Sequence, residues 1–165
     1  MIHGEAAMQK IITYLWFDNQ AEEAARFYTS LFEDSRIVTV SRYGEAGPGP
    51  AGTAMTVKFQ LAGQEFLALN GGPHFRFNEA ISFQVMCATQ DEVDYYWTKL
   101  GEDGDPNAQQ CGWLKDRFGV SWQVVPIALF DMLGDPESER SQRAMEAMLR
   151  MKKLDVAALK RAYDG

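Results

Sequence analysis

The chain has 165 residues, 46% of them apolar, with 23 acidic against 16 basic side chains and a formal net charge of −7. That apolar share is enough to bury one good core, so a disordered chain is excluded and a single domain over residues 1–165, or two small modules sharing an interface, is expected. The acidic balance, with no basic stripe interleaved with aromatics, argues against nucleic acid or an anionic membrane as a partner.

In chain order, IITYLWFD, beginning at Ile11, is an apolar and aromatic run suited to a strand. NQAEEAARFYTSLF then places Ala21, Ala24, Ala25, Phe27, Tyr28, Leu31 and Phe32 at helical spacing. SRIVTVSRYG alternates around Ile37, Val38 and Val40, EAGPGPAG supplies a turn, and TAMTVKFQLAGQEFLALN reads as two strands folded about Ala62-Gly63. The first module, about residues 11–72, is therefore βαβββ.

A second module, about residues 80–126, emerges when the chain is compared with itself. ITYLWFDNQAEEAARFYTSL lies over ISFQVMCATQDEVDYYWTKL without a gap at an offset of 69 residues. Ile12 meets Ile81, Thr13 meets Ser82, Tyr14 meets Phe83, Tyr28 meets Trp97 and Leu31 meets Leu100. Two amphipathic helices match by chance; a strand and an aromatic pair matching with them point to an internal repeat. CGWLKDRFGVSWQVVP follows as a hairpin turning at DRFG, with Gly119 over Gly63, Trp122 over Phe66 and Gln123 over Leu67. A strand between Asp105 and Gln110 is poorly marked, giving βαβ(β)β. From about residue 127 to 165 the chain is charged and helical. Ala144, Met145, Met148, Leu149 and Met151 form one apolar stripe, and Val156, Leu159 and Tyr163 a second. Asp135-Pro136 marks the start of the earlier helix and Asp155 caps the later one.

Few side chains here suit acid, base or nucleophile chemistry. The histidines are His3, near the N-terminus, and His74, just after Gly71-Gly72-Pro73, where a solvated or pocket-rim position is the expectation. Cys87 and Cys111 form neither a CxxC pair nor a zinc spacing and read as buried thiols in a reducing compartment. The N-terminus lacks a basic segment followed by an apolar one, and no run approaches a membrane span, so the expected location is the cytoplasm with no membrane contact. Asp116 beside Arg117, and Glu22-Glu23, read as turn and helix-surface charges.

Two βαβββ modules in tandem resemble the plan of the vicinal oxygen chelate superfamily, the glyoxalases, extradiol dioxygenases, fosfomycin-inactivating and bleomycin-binding proteins. ITYLWFDNQAEEAARFYTSLF, NGGPHFRFNEAISFQVMCATQDEVDYYWTKL, CGWLKDRFGVSWQVVP and AMEAMLRMKKLDVAALKRAY are similar to its PhnB-like branch, often labelled 3-demethylubiquinone-9 3-methyltransferase. The resemblance implies an α+β fold, with a glyoxalase-like cup formed by the tandem modules and followed by C-terminal helices. In the metalloenzymes the first and fourth strands of each module hold the ion. By module symmetry those positions are Thr13, Leu67, Ser82 and Gln123, with neither imidazole nor carboxylate among them, so no metal and no other cofactor is expected. The methyltransferase label meets a further difficulty: the glycine-rich stretch lies between two strands rather than between a strand and a helix.

The cup without a metal is expected to be lined by Thr13, Leu15, Phe17, Leu67, Leu69, Ser82, Gln84, Met86 and Gln123, with Trp113, His74, Phe75 and Phe77 near its rim. A mainly apolar concavity with a few neutral hydrogen-bonding groups suits a small apolar or aromatic molecule. Two other readings stand beside it: a glyoxalase- or dioxygenase-like enzyme using Ser82, Gln123 and a substrate-borne group or a metal held at an unexpected site, and an interaction module acting through the C-terminal helices. The resemblance also implies a homodimer.

Overall fold

The computed structural model describes residues 8–165, which form two compact units, one ending at Arg76 and one spanning Phe77–Gly165. His3 lies outside the described residues. The first unit runs β1 (Thr13–Phe17), α1 (Ala21–Leu31), β2 (Arg36–Arg42), β3 (Ala54–Leu61) and β4 (Gln64–Asn70). Its sheet has the order β1-β4-β3-β2, with β1 parallel to β4 and the remaining pairs antiparallel. The second unit runs β5 (Ser82–Cys87), α2 (Gln90–Gly101), β6 (Trp113–Lys115) and β7 (Ser121–Pro126), then α3 (Ile127–Met132), α4 (Glu139–Leu149) and α5 (Val156–Asp164). Its sheet order is β5-β7-β6, again with the first strand parallel to the last. The second sheet thus repeats the β1-β4-β3 part of the first, and the mixed α+β class expected from the sequence is what the chain adopts.

The first core forms because α1 is narrow where it meets the sheet. Ala21, Ala24 and Ala25 let the helix axis approach closely, while Tyr28 and Leu31 fill the deeper space. Opposite them lie the buried faces of Leu15, Phe17, Val57, Phe59, Leu61, Phe66 and Ala68. The Phe59 ring stacks against Tyr28 and Phe66, at centroid separations of 6.5 and 5.5 Å. The N-terminus of α1 has no side-chain cap from Gln20; instead the Ala21 N–H donates to Asn70 Oδ1 of β4 (2.8 Å). The β3–β4 hairpin turns through Ala62 and Gly63, both at positive φ (47° and 79°), as a two-residue hairpin loop requires.

In the second unit Val93 and Leu100 of α2 pack over Leu114, Trp122, Val124 and Cys87, all buried. The stretch expected to hold a weak strand instead forms a 3-10 turn at Pro106–Ala108, which begins where the Asp105 carboxylate accepts the Asn107 N–H (2.9 Å). Pro106 has no N–H for a ladder, so the second module has one strand fewer than the first. The DRFG turn is built on Asp116. One carboxylate oxygen accepts the backbone N–H groups of Phe118 (2.9 Å) and Val120 (3.0 Å), and the other accepts the Trp122 indole N–H (2.9 Å).

The C-terminal region carries three helices, since α3 follows β7 directly, where the sequence suggested two. The second helix is capped by Ser138, whose hydroxyl accepts the Ser141 N–H, so it starts beyond Asp135-Pro136; it ends before Met151. Leu129, Met132, Ala144, Leu154 and Leu159 cluster on Val125 at the end of β7. Met145 and Leu149, placed in the same apolar stripe by the sequence, are 40% and 53% exposed. Asp155 caps α5 by accepting the Ala158 N–H (2.9 Å), and Gln90 of α2 bonds both Leu154 and Val156 backbone groups. No described helix is long and apolar enough to cross a membrane.

Candidate functional site

Strand alternation assigns each expected site residue to a sheet face. In β4, Phe66 and Ala68 are buried under α1, so Leu67 and Leu69 lie on the opposite, open face. Their cross-strand partners in β1 are Tyr14 and Trp16. Thr13, Leu15 and Phe17 therefore belong to the helix face, and Leu15 and Phe17 are core residues at 6% and 3% exposure. This corrects the expected lining of the cup: Tyr14 and Trp16 take the places assigned to Thr13, Leu15 and Phe17.

The exchange of faces in β1 has a definite origin. α1 and α2 match at an offset of 69, with buried Ala24 over Val93 and Leu31 over Leu100. The strands do not. Thr13 pairs with Phe66, and Phe83 pairs with Trp122, so with Phe66 over Trp122 the strand offset is 70. Three residues, 18–20, join β1 to α1, but only two, 88 and 89, join β5 to α2. A one-residue slip exchanges the two faces of a strand.

In the second unit the expected residues do come together. Gln84, Gln123 and Trp113 are register partners across the sheet, and Ser82 pairs with Ser121 in the next row. The Gln123 amide donates to Ser82 Oγ (2.9 Å), and Gln84 donates to Gln123 Oε1 (3.4 Å). Met86 shares the face and is 49% exposed. Ser121 is buried on this same face, its hydroxyl without a hydrogen-bond partner among the described residues. The result is a row of neutral hydroxyl and amide groups beside an indole.

The first unit holds an open concavity of about 1040 Å³ at the β1 and β4 ends. Leu69 and His74 line it, together with residues that the sequence patterns do not mark: Trp16, Asp18, Glu22, Arg42, Tyr43 and Asn70. Two aromatic rings are fixed there. The Trp16 indole N–H donates to the Gly72 carbonyl (2.9 Å), Phe75 meets the ring edge-on at 5.0 Å, and a Cβ at Gly71 would overlap the indole. The Tyr43 hydroxyl donates to the Asn70 carbonyl (2.6 Å), and a Cβ at Gly49 would overlap the phenol ring. Phe75 is otherwise exposed, and Phe77 begins the second unit half-buried. The signals were present: a tryptophan followed closely by Asp-Asn on the strand, and a tyrosine leading into Gly-Pro-Gly.

Charge in the concavity is uneven. Glu22 accepts from Arg26 (2.9 Å) and from Arg42 (3.4 Å), and the Arg26 hydrogen bond, aided by Arg42, holds its carboxyl below the usual glutamate range. The Arg42 guanidinium also donates to the Gly52 carbonyl (3.4 Å). The Asp18 carboxylate has no hydrogen bond or ion pair among the described residues.

The divalent ion of the superfamily's metalloenzymes does not fit these donors. Leu67 offers none, Ser82 and Gln123 are neutral and bonded to one another, and Tyr14 in place of Thr13 adds only a phenol. One carboxylate does share the face of Leu67: Glu65, two residues earlier, which Lys58 takes at 2.8 Å. Among the described residues no three His, Cys, Asp or Glu side chains gather as a ligand set.

Comparison with known proteins places this geometry. A family model described as 3-demethylubiquinone-9 3-methyltransferase matches residues 9–125. The curated proteins contain no match. Among solved structures, a Bacillus cereus PhnB protein with the same methyltransferase description is 44% identical, covers 72% of this chain and 99% of its own, and superposes with a TM-score of 0.64. Protein PA1353 from Pseudomonas aeruginosa is 20% identical over 72% of this chain and 98% of its own, with a TM-score of 0.57. The fosfomycin resistance protein FosX from Mesorhizobium loti, 15% identical over 82% of this chain and 100% of its own, shares the fold at a TM-score of 0.53. By the family model and the Bacillus cereus PhnB protein alike, the chain belongs to the PhnB-like 3-demethylubiquinone-9 3-methyltransferase family.

Proposed function

We propose that this chain is a small-molecule-binding protein that uses the open faces of its glyoxalase-type sheets without a resident divalent ion, and that its ligand is a small apolar or aromatic compound. The observation that carries this is the donor row of the second unit. Gln84 and Gln123, the counterparts of Tyr14 and Leu67 in the second unit, and Ser82 beside them carry neither imidazole nor carboxylate, and the Gln123 amide donates to Ser82 Oγ at 2.9 Å. Neutral donors cannot offset the cost of stripping water from a divalent cation, yet they suit an oxygenated or aromatic organic molecule seated beside Trp113.

Methyl transfer from a nucleotide-like donor has little support. The link from the first strand to its helix is Asp18-Asn19-Gln20, with no glycine, and the glycine-rich segment joins β2 to β3. A homodimer remains the working assembly, on the superfamily's habit of pairing such modules about a two-fold axis.

The test combines two measurements on purified full-length protein incubated with zinc, manganese and nickel salts, then desalted. Elemental analysis should find far less than one divalent ion per chain. Thermal shift against small aromatic and oxygenated compounds should find stabilisers, and exchanging Gln123→Leu should reduce their effect. One ion retained per chain, or no stabilising compound, would overturn the proposal.

A further inference from the structure

The concavity of the first unit is not an apolar slot, and its chemistry says more about the ligand. We infer that it is a recognition site for an organic cation, an ammonium or similar positively charged group carried on a flat or apolar body, which rests on the small-molecule reading above. Trp16 and Tyr43 both line it, and both rings are seated on glycines and tethered to backbone carbonyls. Such rings are preorganised, so little freedom is lost when a ligand meets them. The face of an indole or phenol carries negative charge density and attracts cations.

The ionic groups favour the same sign. Asp18 and Glu22 are the carboxylates of the lining, against Arg42 as its basic group, with His74 at the edge. Arg42 is already engaged by Glu22 and by the Gly52 carbonyl, so it has little left for an anion. Asp18, by contrast, is unpaired among the described residues and stands two positions from Trp16 in the chain. An incoming anion would meet an uncompensated carboxylate; an incoming cation would meet a counter-ion. The net charge of −7 adds a long-range bias toward cations that salt should screen.

The experiment uses matched aromatic probes of nearly equal size: benzyltrimethylammonium, its neutral isostere neopentylbenzene, and benzenesulfonate. Titration of the isotope-labelled full chain is followed through the Trp16 indole N–H resonance, assigned with Trp16→Phe. The ammonium probe should move that resonance at the lowest concentration, and added salt should weaken its effect. Asp18→Asn should weaken the ammonium probe about three- to fivefold and leave the neutral one unchanged. Equal or better binding of benzenesulfonate, or an Asp18→Asn variant that leaves the ammonium probe unchanged, overturns the inference. If the neutral probe alone moves Trp16, the cation site is refuted while small-molecule binding stands. If none of the three moves it, the cation site is refuted, and the compound screen decides the broader reading separately.

Discussion

Asp116 shows how a residue that looks chemically available is committed to structure. It is 3% exposed, and its two oxygens take two backbone N–H groups and a buried indole N–H. Asp116→Ala leaves those donors without their acceptor, and we expect a loss of about 2–4 kcal/mol in chemical denaturation, with a red-shifted Trp122 emission. Asp116→Glu should recover only part of it, because the turn is set by carboxylate reach. Cys87 makes a complementary point. Burial, with the Glu92 carboxylate as a smaller cause, pushes its thiol up from 9.0 to about 11. Above pH 9 the unfolded chain therefore releases a proton that the folded chain retains. Stability should fall with rising pH across that window, from about 9 to about 11, with a slope of up to about 1.4 kcal/mol per pH unit from this group. Cys87→Ala should flatten that part of the profile, and in the native wild type iodoacetamide at pH 8 should label half-buried Cys111 before Cys87.

At the scale of elements, strands and helices were legible because their apolar periods are strong. The alternation of Val57, Phe59 and Leu61 and the alanine stripe of α1 both mark buried faces directly. What the periods left open was which face of a short strand turns inward. β1 is apolar on both sides, Leu15 and Phe17 on one and Tyr14 and Trp16 on the other, so hydrophobicity alone could not choose. The narrow alanine face of α1 resolves it, since it requires bulky partners on the sheet. The β3–β4 turn also bears a specific strain: Ala62 sits at φ 47°, a left-handed conformation that disfavours a residue with a Cβ. Ala62→Asn, better suited to that conformation in a two-residue turn, should raise stability by about 0.5–1 kcal/mol in urea unfolding.

For the molecule as a whole, the family and the repeat could be read from sequence, whereas the charged concavity could not. Its walls come from β1, α1, the β2–β3 turn and the segment after β4, parts of the chain that no local pattern associates. The C-terminal helices were legible as helices but their attachment was not. They close on Val125 and are tied by Gln90 to Leu154 and Val156 and by the Lys153–Asp94 ion pair, so they complete the second unit's own core. Leu159→Ala, at a fully buried position, should cost about 2–5 kcal/mol and lower the melting temperature; a loss under about 0.5 kcal/mol would show that α5 is dispensable to that core.

The unequal connectors after β1 and β5 have a consequence for how a repeated chain diversifies. With one residue more in the first link, the two copies are no longer interchangeable cassettes: a strand moved into the other copy without its connector would present its core to water. The same frame now displays aromatic rings in one copy and amides and hydroxyls in the other. The extra connector residue therefore decides which side chains of each strand meet a helix and which are left for a ligand.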